Sequence, residues 1–222
     1  KEILGETFKK SQQGYGTCVG RAVSGMELRV IKITDTSITQ WDDSLELTQG
    51  EIGEIVVKSP WTTQNYFKRD EATRLSKIKV NKNLFWHRMG DVGYIDEQNR
   101  LWFCGRKSQR IQTINGTLFT VQCEGVFNAH PKVKRSALVG VGKTKSQRPV
   151  IIIELEQSND LKKKSARNTF IEDLFKLGSQ CNHTRKIKDF LIHQNFPVDI
   201  RHNAKISREL LAQWATKKLP KY

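Results

Sequence analysis

The amino-acid sequence changes character near residue 105, and this change limits the folds open to the chain more than any other feature. Residues 1–104 hold 15 Lys and Arg against 14 Asp and Glu, whereas residues 105–222 hold 23 against 9. Short apolar runs separated by turns fill the first segment, whereas helical and strand patterns alternate in the second. The sequence therefore predicts an α+β protein, with a β-rich domain over residues 1–104 and a compact α+β domain over residues 105–222.

The first domain is predicted to consist of short strands joined by turns, as in a small barrel or sandwich. The candidate strands lie at residues 26–30, 54–58, 92–96 and 100–104. The last two flank a polar turn at 97–99 and predict a β-hairpin. A second hairpin is predicted over residues 110–121, because Asn115-Gly116 at its centre suits the positive φ angles of a two-residue turn.

The second domain is predicted to alternate helices with strands. The candidate strands lie at residues 136–142, 149–156 and 190–193, and the candidate helices at 122–129, at 160–180 and after Ser207. Phe170, Leu174 and Leu177 have the spacing of one face of the middle helix. Ser207 is the predicted N-cap residue of the last helix, which carries Leu210 among its apolar residues.

Length and composition limit the classes of function. A chain of 222 residues with 37% hydrophobic residues can bury a core. No run approaches the roughly 18 apolar residues of a membrane span, and the first ten residues lack the apolar stretch of a signal peptide, so we expect a cytoplasmic protein. The four cysteines are scattered, so neither a zinc site nor a disulfide framework is predicted. The basic second segment predicts attraction to polyanions such as nucleotides, coenzyme A or nucleic acid.

Four sequence blocks follow one another along most of the chain. They are GEIGEIVV with QNYF at 50–67, RMGDVG at 88–93, FCGR at 103–106 and NAKISR at 203–208. In sequence and in order, these blocks resemble motifs in the C-terminal part of the adenylate-forming enzymes. This family includes acyl-CoA synthetases, peptide-synthetase adenylation domains and luciferases. The resemblance implies the fold of these enzymes and an activity in which a carboxylate reacts with ATP to give an acyl-adenylate and pyrophosphate.

The same resemblance implies roles for three charged residues. Asp91 matches the Asp that holds the AMP ribose, and a carboxylate can accept hydrogen bonds from both ribose hydroxyls. Arg106 matches a residue that faces the nucleotide, where its planar fork can donate to ribose or phosphate oxygens. Lys205 matches the mobile catalytic lysine, whose ammonium can stabilise negative charge at the reacting α-phosphate. ATP/AMP is the implied nucleotide, with Mg²⁺ held mainly by an upstream region and coenzyme A as the acceptor in the CoA ligases.

Ser108 stands where many relatives carry Asp or Lys at the pivot about which the small domain rotates between two poses. A hinge needs permissive backbone torsions more than a particular side chain, so we expect rotation at Ser108. Asn65, Leu118 and Ala204 also depart from the family pattern, in which Gly, Arg and Gly are usual. The departure at Leu118 predicts an altered pantetheine-facing surface and an altered second pose.

These departures, together with the segment LWFCGRK at 101–107, resemble one branch, the β-lactone synthetases of bacterial olefin biosynthesis. That branch adenylates a β-hydroxy fatty acid and closes it to a β-lactone without coenzyme A. A fatty acyl-CoA ligase is an equal alternative. A nucleic-acid-binding module, suggested by the basic second segment, is the alternative of another class, but no RNP-like aromatic pair, helix-turn-helix signature or zinc knuckle supports it.

The family's Ser/Thr/Gly-rich phosphate loop has no counterpart in the sequence. We therefore expect that the chain corresponds to the C-terminal part of a longer enzyme and that residues 1–222 alone adenylate nothing. An inter-domain linker near Arg106 would let the second domain swing, or exchange between two copies of the chain.

Overall fold

The chain divides into two compact units. The computed structural model describes residues 2–157, 161–199 and 205–220, with side chains from residue 5 onward. We call Thr17–Ser108 the sheet unit, and Lys1–Gly16 together with Gln109–Tyr222 the terminal unit. The division thus lies after residue 108, whereas the sequence placed the domain boundary after residue 104, and residues 1–16 group with the terminal unit.

Both units contain strands and helices, and strands predominate in the sheet unit. The strands are β1 (Thr17–Gly20), β2 (Glu27–Ile31), β3 (Gly53–Lys58), β4 (Lys77–Lys79), β5 (Phe85–Ile95), β6 (Leu101–Arg106), β7 (Ile111–Thr113), β8 (Gly116–Leu118), β9 (Val133–Val141), β10 (Arg148–Leu155) and β11 (Asp189–Ile192). The α-helices are α1 (Glu2–Gln12), α2 (Asp70–Ser76), α3 (Thr120–Phe127), α4 (Lys164–Ser179) and α5 (Arg208–Lys218). Short 3-10 turns lie at Asp43–Leu45 and Lys107–Gln109.

The sheet unit is built on an antiparallel sheet with the strand order β1-β6-β5-β3-β2, and β4 also pairs with β5. Ile31, Val56, Ile78 and Trp86 form its apolar cluster. The predicted hairpin of β5 and β6 is confirmed, but β5 begins at Phe85 rather than at residue 92. The earlier start follows from Trp86, whose buried ring packs in this cluster and extends the strand toward β4.

The terminal unit contains a three-stranded sheet with helices on both faces. Strand β10 lies in the centre, antiparallel to β9 and parallel to β11. Because side chains alternate along a strand, Ile151 and Ile153 face one way, where they pack with residues of α3 and α4. Val150 and Ile152 face the other way and pack with residues of α5. Because both faces of β10 are buried, its sequence is an unbroken apolar run over residues 150–153.

Helix α1 was not predicted, and it accounts for the grouping of residues 1–16 with the terminal unit. It packs on α3. At the contact, a Cβ atom on Gly125 would collide with the carbonyl oxygen of Ser11, so the two helices approach closely only because position 125 is glycine.

The predicted helices are present with shifted ends. Helix α3 begins at Thr120, so β8 ends at Leu118 and the second hairpin is shorter than predicted. Ser207 occupies the N-cap position of α5, but its side chain makes no capping hydrogen bond. Leu210 is 53% exposed, because the buried face of α5 is formed by other positions. None of the helices among residues 2–157, 161–199 and 205–220 is long and apolar enough to cross a membrane.

Candidate active site

Asp91 and Arg106 form an ion pair across two neighbouring strands. The register of β5 and β6 places them directly opposite each other, and Asp91 Oδ1 lies 2.8 Å from Arg106 Nη1. The Asp91 side chain is 19% exposed, whereas that of Arg106 is 58% exposed. Burial raises the pKa of the Asp91 carboxyl group, although the charge and the hydrogen bond of Arg106 act to lower it. The pair is therefore accessible to a ligand from the side of Arg106.

Two glycines shape the backbone on either side of Asp91. Gly90 has a φ of 70°, in the region that favours glycine, and no atom would meet a side chain at that position. Gly93 lies against β6, where a Cβ atom would collide with the carbonyl oxygen of Trp102. At Gly93 the strand is therefore tightly paired with β6. At Gly90 its backbone is open to an approaching ligand.

A buried charge cluster lies beneath the same strands. The Arg88 and Glu54 side chains are 2% and 1% exposed, and Arg88 Nη2 lies 2.6 Å from Glu54 Oε2. Arg88 also donates to the carbonyl oxygens of Thr34, Thr36 and Leu75. Lys107 is the second cation of the cluster, with Nζ 2.9 Å from Glu54 Oε1. These contacts fix β3 and β5 in the register that presents Asp91.

Asp96 closes the hairpin of β5 and β6, and the sequence reasoning missed this role. Its carboxylate accepts hydrogen bonds from the backbone N–H groups of Gln98 and Arg100, from Arg100 Nε at 2.7 Å and from Trp102 Nε1 at 2.8 Å. Burial alone would raise its pKa, but the hydrogen bonds from Trp102, Arg100 and Gln98 prevail and lower the pKa to about 2. An Asp that opens a predicted polar turn is the signal that could have revealed the role, because Asp often caps the backbone two residues on.

Lys205 lies in the terminal unit, on the strand-like segment that leads into α5. Val198 and Ile206 form an isolated β-bridge, and the Asp199 N–H donates to the Lys205 carbonyl oxygen at 3.0 Å. The Lys205 side chain is exposed. Ala204, which replaces the usual Gly, lies outside the described residues.

Arg208 and Glu124 anchor this segment to the body of the terminal unit. Arg208 Nη2 lies 2.7 Å from Glu124 Oε2, and the same guanidinium also donates to Oε1. Glu124 Oε1 further accepts from the Leu138 N–H at 2.9 Å. Burial raises the pKa of Glu124, against the opposing effect of Arg208. The last residue of the NAKISR block therefore has a structural partner that the sequence did not predict.

Ser108 is the last residue of the sheet unit and is exposed within the Lys107–Gln109 turn. Of the predicted site residues, the structure brings Asp91 and Arg106 together, and Ser108 follows Arg106 by two positions. Lys205 belongs to the other unit, so its approach to the pair stays a prediction. Within the described part of the chain, no group of three or more His, Cys, Asp and Glu side chains could hold a metal ion, and none of the four cysteines forms a disulfide bond.

A cavity of about 630 Å³ lies in the terminal unit beside the hairpin of β7 and β8. Basic side chains, Arg148, Arg185 and Lys186, contribute to its lining. Arg148 is neutralised by Asp189, which it contacts with two nitrogens, whereas the other two make the cavity positive. Leu118, which stands in place of the usual Arg, is half-buried and packs against the apolar core.

Sequence comparison relates the chain to known enzymes. It is 48% identical over 219 residues to an olefin β-lactone synthetase of Xanthomonas campestris pv. campestris, covering 96% of this chain and 38% of the relative. It is 45% identical to the olefin β-lactone synthetase of Stenotrophomonas maltophilia, covering 98% of this chain and 39% of the relative. A 2-succinylbenzoate–CoA ligase of Bacillus cytotoxicus is 36% identical over 46% of this chain and 20% of its own length. No family model matches the chain.

Structural comparison gives the fold. The chain is similar to o-succinylbenzoate CoA synthetase (MenE) from Bacillus subtilis in complex with the acyl-adenylate OSB-AMP, with a TM-score of 0.66 and 20% identity over 95% of this chain and 37% of that one. It is also similar to the amide bond synthetase McbA from Marinactinospora thermotolerans, with a TM-score of 0.68, 23% identity and coverage of 89% and 36%. The matched part of these proteins is their C-terminal portion. The predicted α+β fold is confirmed, and the chain spans about 38% of the length of the first two curated relatives.

Proposed function

Because the chain is homologous along nearly its whole length to the C-terminal portion of the olefin β-lactone synthetases, we propose that the complete protein is an ATP-dependent, AMP-forming ligase that converts a β-hydroxy fatty acid into a β-lactone. The observation that carries the proposal is the identity of 48% over 96% of this chain. The ion pair of Asp91 and Arg106, open on one side, supports a nucleotide site at the end of β6.

In the first proposed step, an oxygen of the substrate carboxylate attacks the α-phosphorus of ATP, and the bond to pyrophosphate breaks. Asp91 accepts hydrogen bonds from the ribose hydroxyls, and Arg106 donates to ribose or phosphate oxygens. Lys205, supplied by the terminal unit, stabilises the negative charge that gathers at the reacting phosphorus. Mg²⁺ would accompany ATP as its counter-ion, and we assign no residue of this chain to it.

In the second proposed step, the β-hydroxyl oxygen of the same substrate attacks the acyl carbon. The bond between that carbon and the AMP oxygen breaks, the hydroxyl proton is released, and the products are a β-lactone and AMP. No external acceptor is needed. The apolar packing of Leu118 at a position where the CoA ligases carry Arg supports an acceptor within the substrate.

The second candidate is an acyl-CoA ligase, in which the thiol of coenzyme A takes the acyl group instead. Two observations favour it, the similarity to a 2-succinylbenzoate–CoA ligase and the positive cavity beside Arg185 and Lys186, which suits a phosphorylated ligand. In both candidates Ser108 is the hinge about which the terminal unit rotates. We also propose that the protein is cytoplasmic and that two copies of the chain can exchange their terminal units.

The two candidates are separated by assaying the complete natural polypeptide with ATP and a long-chain β-hydroxy acid, with and without coenzyme A. Mass spectrometry of the lipid products distinguishes the β-lactone from the thioester. A β-lactone formed equally well without coenzyme A supports the first candidate, whereas a product that appears only with coenzyme A supports the second. If no pyrophosphate is released from ATP with any fatty or β-hydroxy fatty acid, both candidates are rejected.

A further inference from the structure

Lys107 connects the buried charge cluster of the sheet unit to the point where the two units divide. Its Nζ lies 2.9 Å from Glu54 Oε1 and 3.1 Å from Oε2, and it donates to the Thr34 carbonyl oxygen at 3.1 Å. Ser108 follows it directly, and the division lies after Ser108. The cluster therefore reaches to within one residue of the proposed hinge.

The cluster is a fixed point in the fold. Glu54 and Arg88 are almost fully buried, and Glu54 lies in the central part of the sheet, in β3. Removing a partner from a buried carboxylate is costly, because the remaining charge is left without compensation. Lys107 is 19% exposed and spans from the surface turn to this carboxylate, so its backbone is tied to β3.

Lys107 also stands next to a proposed ligand of the nucleotide. Arg106 precedes it and pairs with Asp91, whereas Ser108 follows it in an exposed turn. Lys107 thus lies between the end of β6, which must stay paired in the sheet, and Ser108, where the proposed rotation takes place. The ammonium of Lys107 donates to Glu54, which belongs to the sheet unit.

We propose that Lys107 is a positioning residue that sets where the rotation of the terminal unit begins. It holds Arg106 beside Asp91 and confines the backbone change to Ser108 and the residues after it. Without its ammonium, the change in torsion angles would spread back into the end of β6 and displace Arg106. The consequence for the reaction rests on the proposed function, whereas the effect on local order does not.

The test compares three variants of the complete natural polypeptide by hydrogen–deuterium exchange. Lys107→Met keeps most of the length of the side chain and removes its charge, and Lys107→Arg keeps the charge. Lys58→Met is the matched control, because Lys58 is 18% exposed and its Nζ lies 2.9 Å from Glu27 Oε1, far along the sequence from the hinge. We expect exchange over residues 105–110 to be about tenfold faster in Lys107→Met, as for the loss of a charged hydrogen bond, and unchanged in Lys107→Arg and Lys58→Met.

Exchange within β3 separates positioning from general support of the fold. We expect residues 53–58 to keep their protection in Lys107→Met, because Arg88 still pairs with Glu54. Unchanged exchange at 105–110, or an equal increase throughout the sheet unit, would overturn the inference. A complete polypeptide that releases no pyrophosphate would reject the proposed function and leave the exchange result to decide the role of Lys107. If it is active, Lys107→Met should slow pyrophosphate exchange, because a displaced Arg106 no longer pairs with Asp91 at the nucleotide site, whereas Lys107→Arg should exchange at the parent's rate.

Discussion

Asp91 and Arg106 face each other across β5 and β6, with 2.8 Å between Oδ1 of the carboxylate and Nη1 of the guanidinium. The hairpin between them thus brings together two residues that are fifteen positions apart in the sequence. Each orients the other before any ligand arrives, which reduces the conformational entropy lost on binding. A ribose hydroxyl can donate to the remaining carboxylate oxygen while Arg106 keeps donors for a second ligand atom.

Replacement of Asp91 by Asn should weaken nucleotide binding. The amide keeps one acceptor oxygen but loses the charge that strengthens hydrogen bonds from the ribose hydroxyls, so we expect affinity for AMP to fall by about tenfold. Calorimetric titration of the complete polypeptide with AMP measures this effect. Asp70→Asn, at an exposed position of the same unit, should leave the affinity unchanged. Equal affinities for the Asp91 variant and the parent would remove Asp91 from the nucleotide site.

Nucleotide binding should also depend on pH through Asp91. Burial raises the pKa of this carboxyl group, so its protonated form appears at a higher pH than for an exposed Asp. The carboxylate is needed to accept both ribose hydroxyls, so affinity should be full above the raised pKa and fall as the pH drops through it. AMP titrations over a series of pH values test this. The same series with Asp91→Asn should lose that acidic transition, and its persistence would assign the transition to another group.

The sequence predicted β2, β3, β6 and the second part of β5 from their apolar residues, but it did not predict the short strands β1 and β4. It predicted the β7–β8 hairpin from Asn115-Gly116, although Thr113 pairs with Gly116 and the two turn residues are Ile114 and Asn115. It did not predict helix α1, which has only three large apolar residues in its eleven positions and packs on α3. The family motifs indicated Asp91 and Arg106, but the partners of the buried charges are far apart in sequence. Glu54 and Arg88 are thirty-four positions apart, and Glu124 and Arg208 are eighty-four apart, so only the folded chain shows these pairs.

Loss of the Asp96 carboxylate should destabilise the hairpin that carries the site. Asp96→Asn removes charged hydrogen bonds to Arg100 and Trp102, and we expect a loss of about 2 kcal/mol in the free energy of unfolding. Because the pKa is lowered to about 2, this stabilisation is complete above the ordinary carboxyl pKa of 3.8 and disappears as the pH falls toward 2. Urea unfolding measures both effects. Glu97→Gln, an exposed change in the same turn, should cost much less, and equal losses for the two variants would contradict the prediction.

Removal of the Lys205 ammonium should slow adenylate formation and leave stability unchanged. The side chain is exposed, so Lys205→Ala should not affect unfolding. If the ammonium stabilises charge in the transition state, single-turnover release of pyrophosphate should fall by about a hundredfold. Lys143→Ala, an exposed lysine of the same unit, is the control and should react at the parent's rate. An unchanged rate for Lys205→Ala would exclude Lys205 as the catalytic residue.

Arg208 should contribute to both stability and the placement of Lys205. Arg208→Leu leaves the Glu124 carboxylate buried without its cationic partner, although the Leu138 N–H still donates to it. We expect a loss of about 3 kcal/mol or more in the free energy of unfolding. The pKa of Glu124 is already raised by burial, so the proton is bound more tightly in the folded state than in the unfolded state. Stability from this group is therefore present at low pH and lost as the pH rises through the folded pKa. The deficit of Arg208→Leu should accordingly shrink on acidification.

The double variant Glu124→Gln/Arg208→Leu separates the two roles of Arg208. Gln can still accept from the Leu138 N–H but carries no charge, so the double variant should recover a large part of the stability lost in Arg208→Leu. It should not recover the rate of pyrophosphate release, because the segment that carries Lys205 remains without its anchor. Recovery of stability together with full activity would show that Arg208 neutralises Glu124 and has no part in positioning the lysine. A double variant as unstable as Arg208→Leu would show instead that the packing of the arginine side chain, rather than its charge, stabilises the terminal unit.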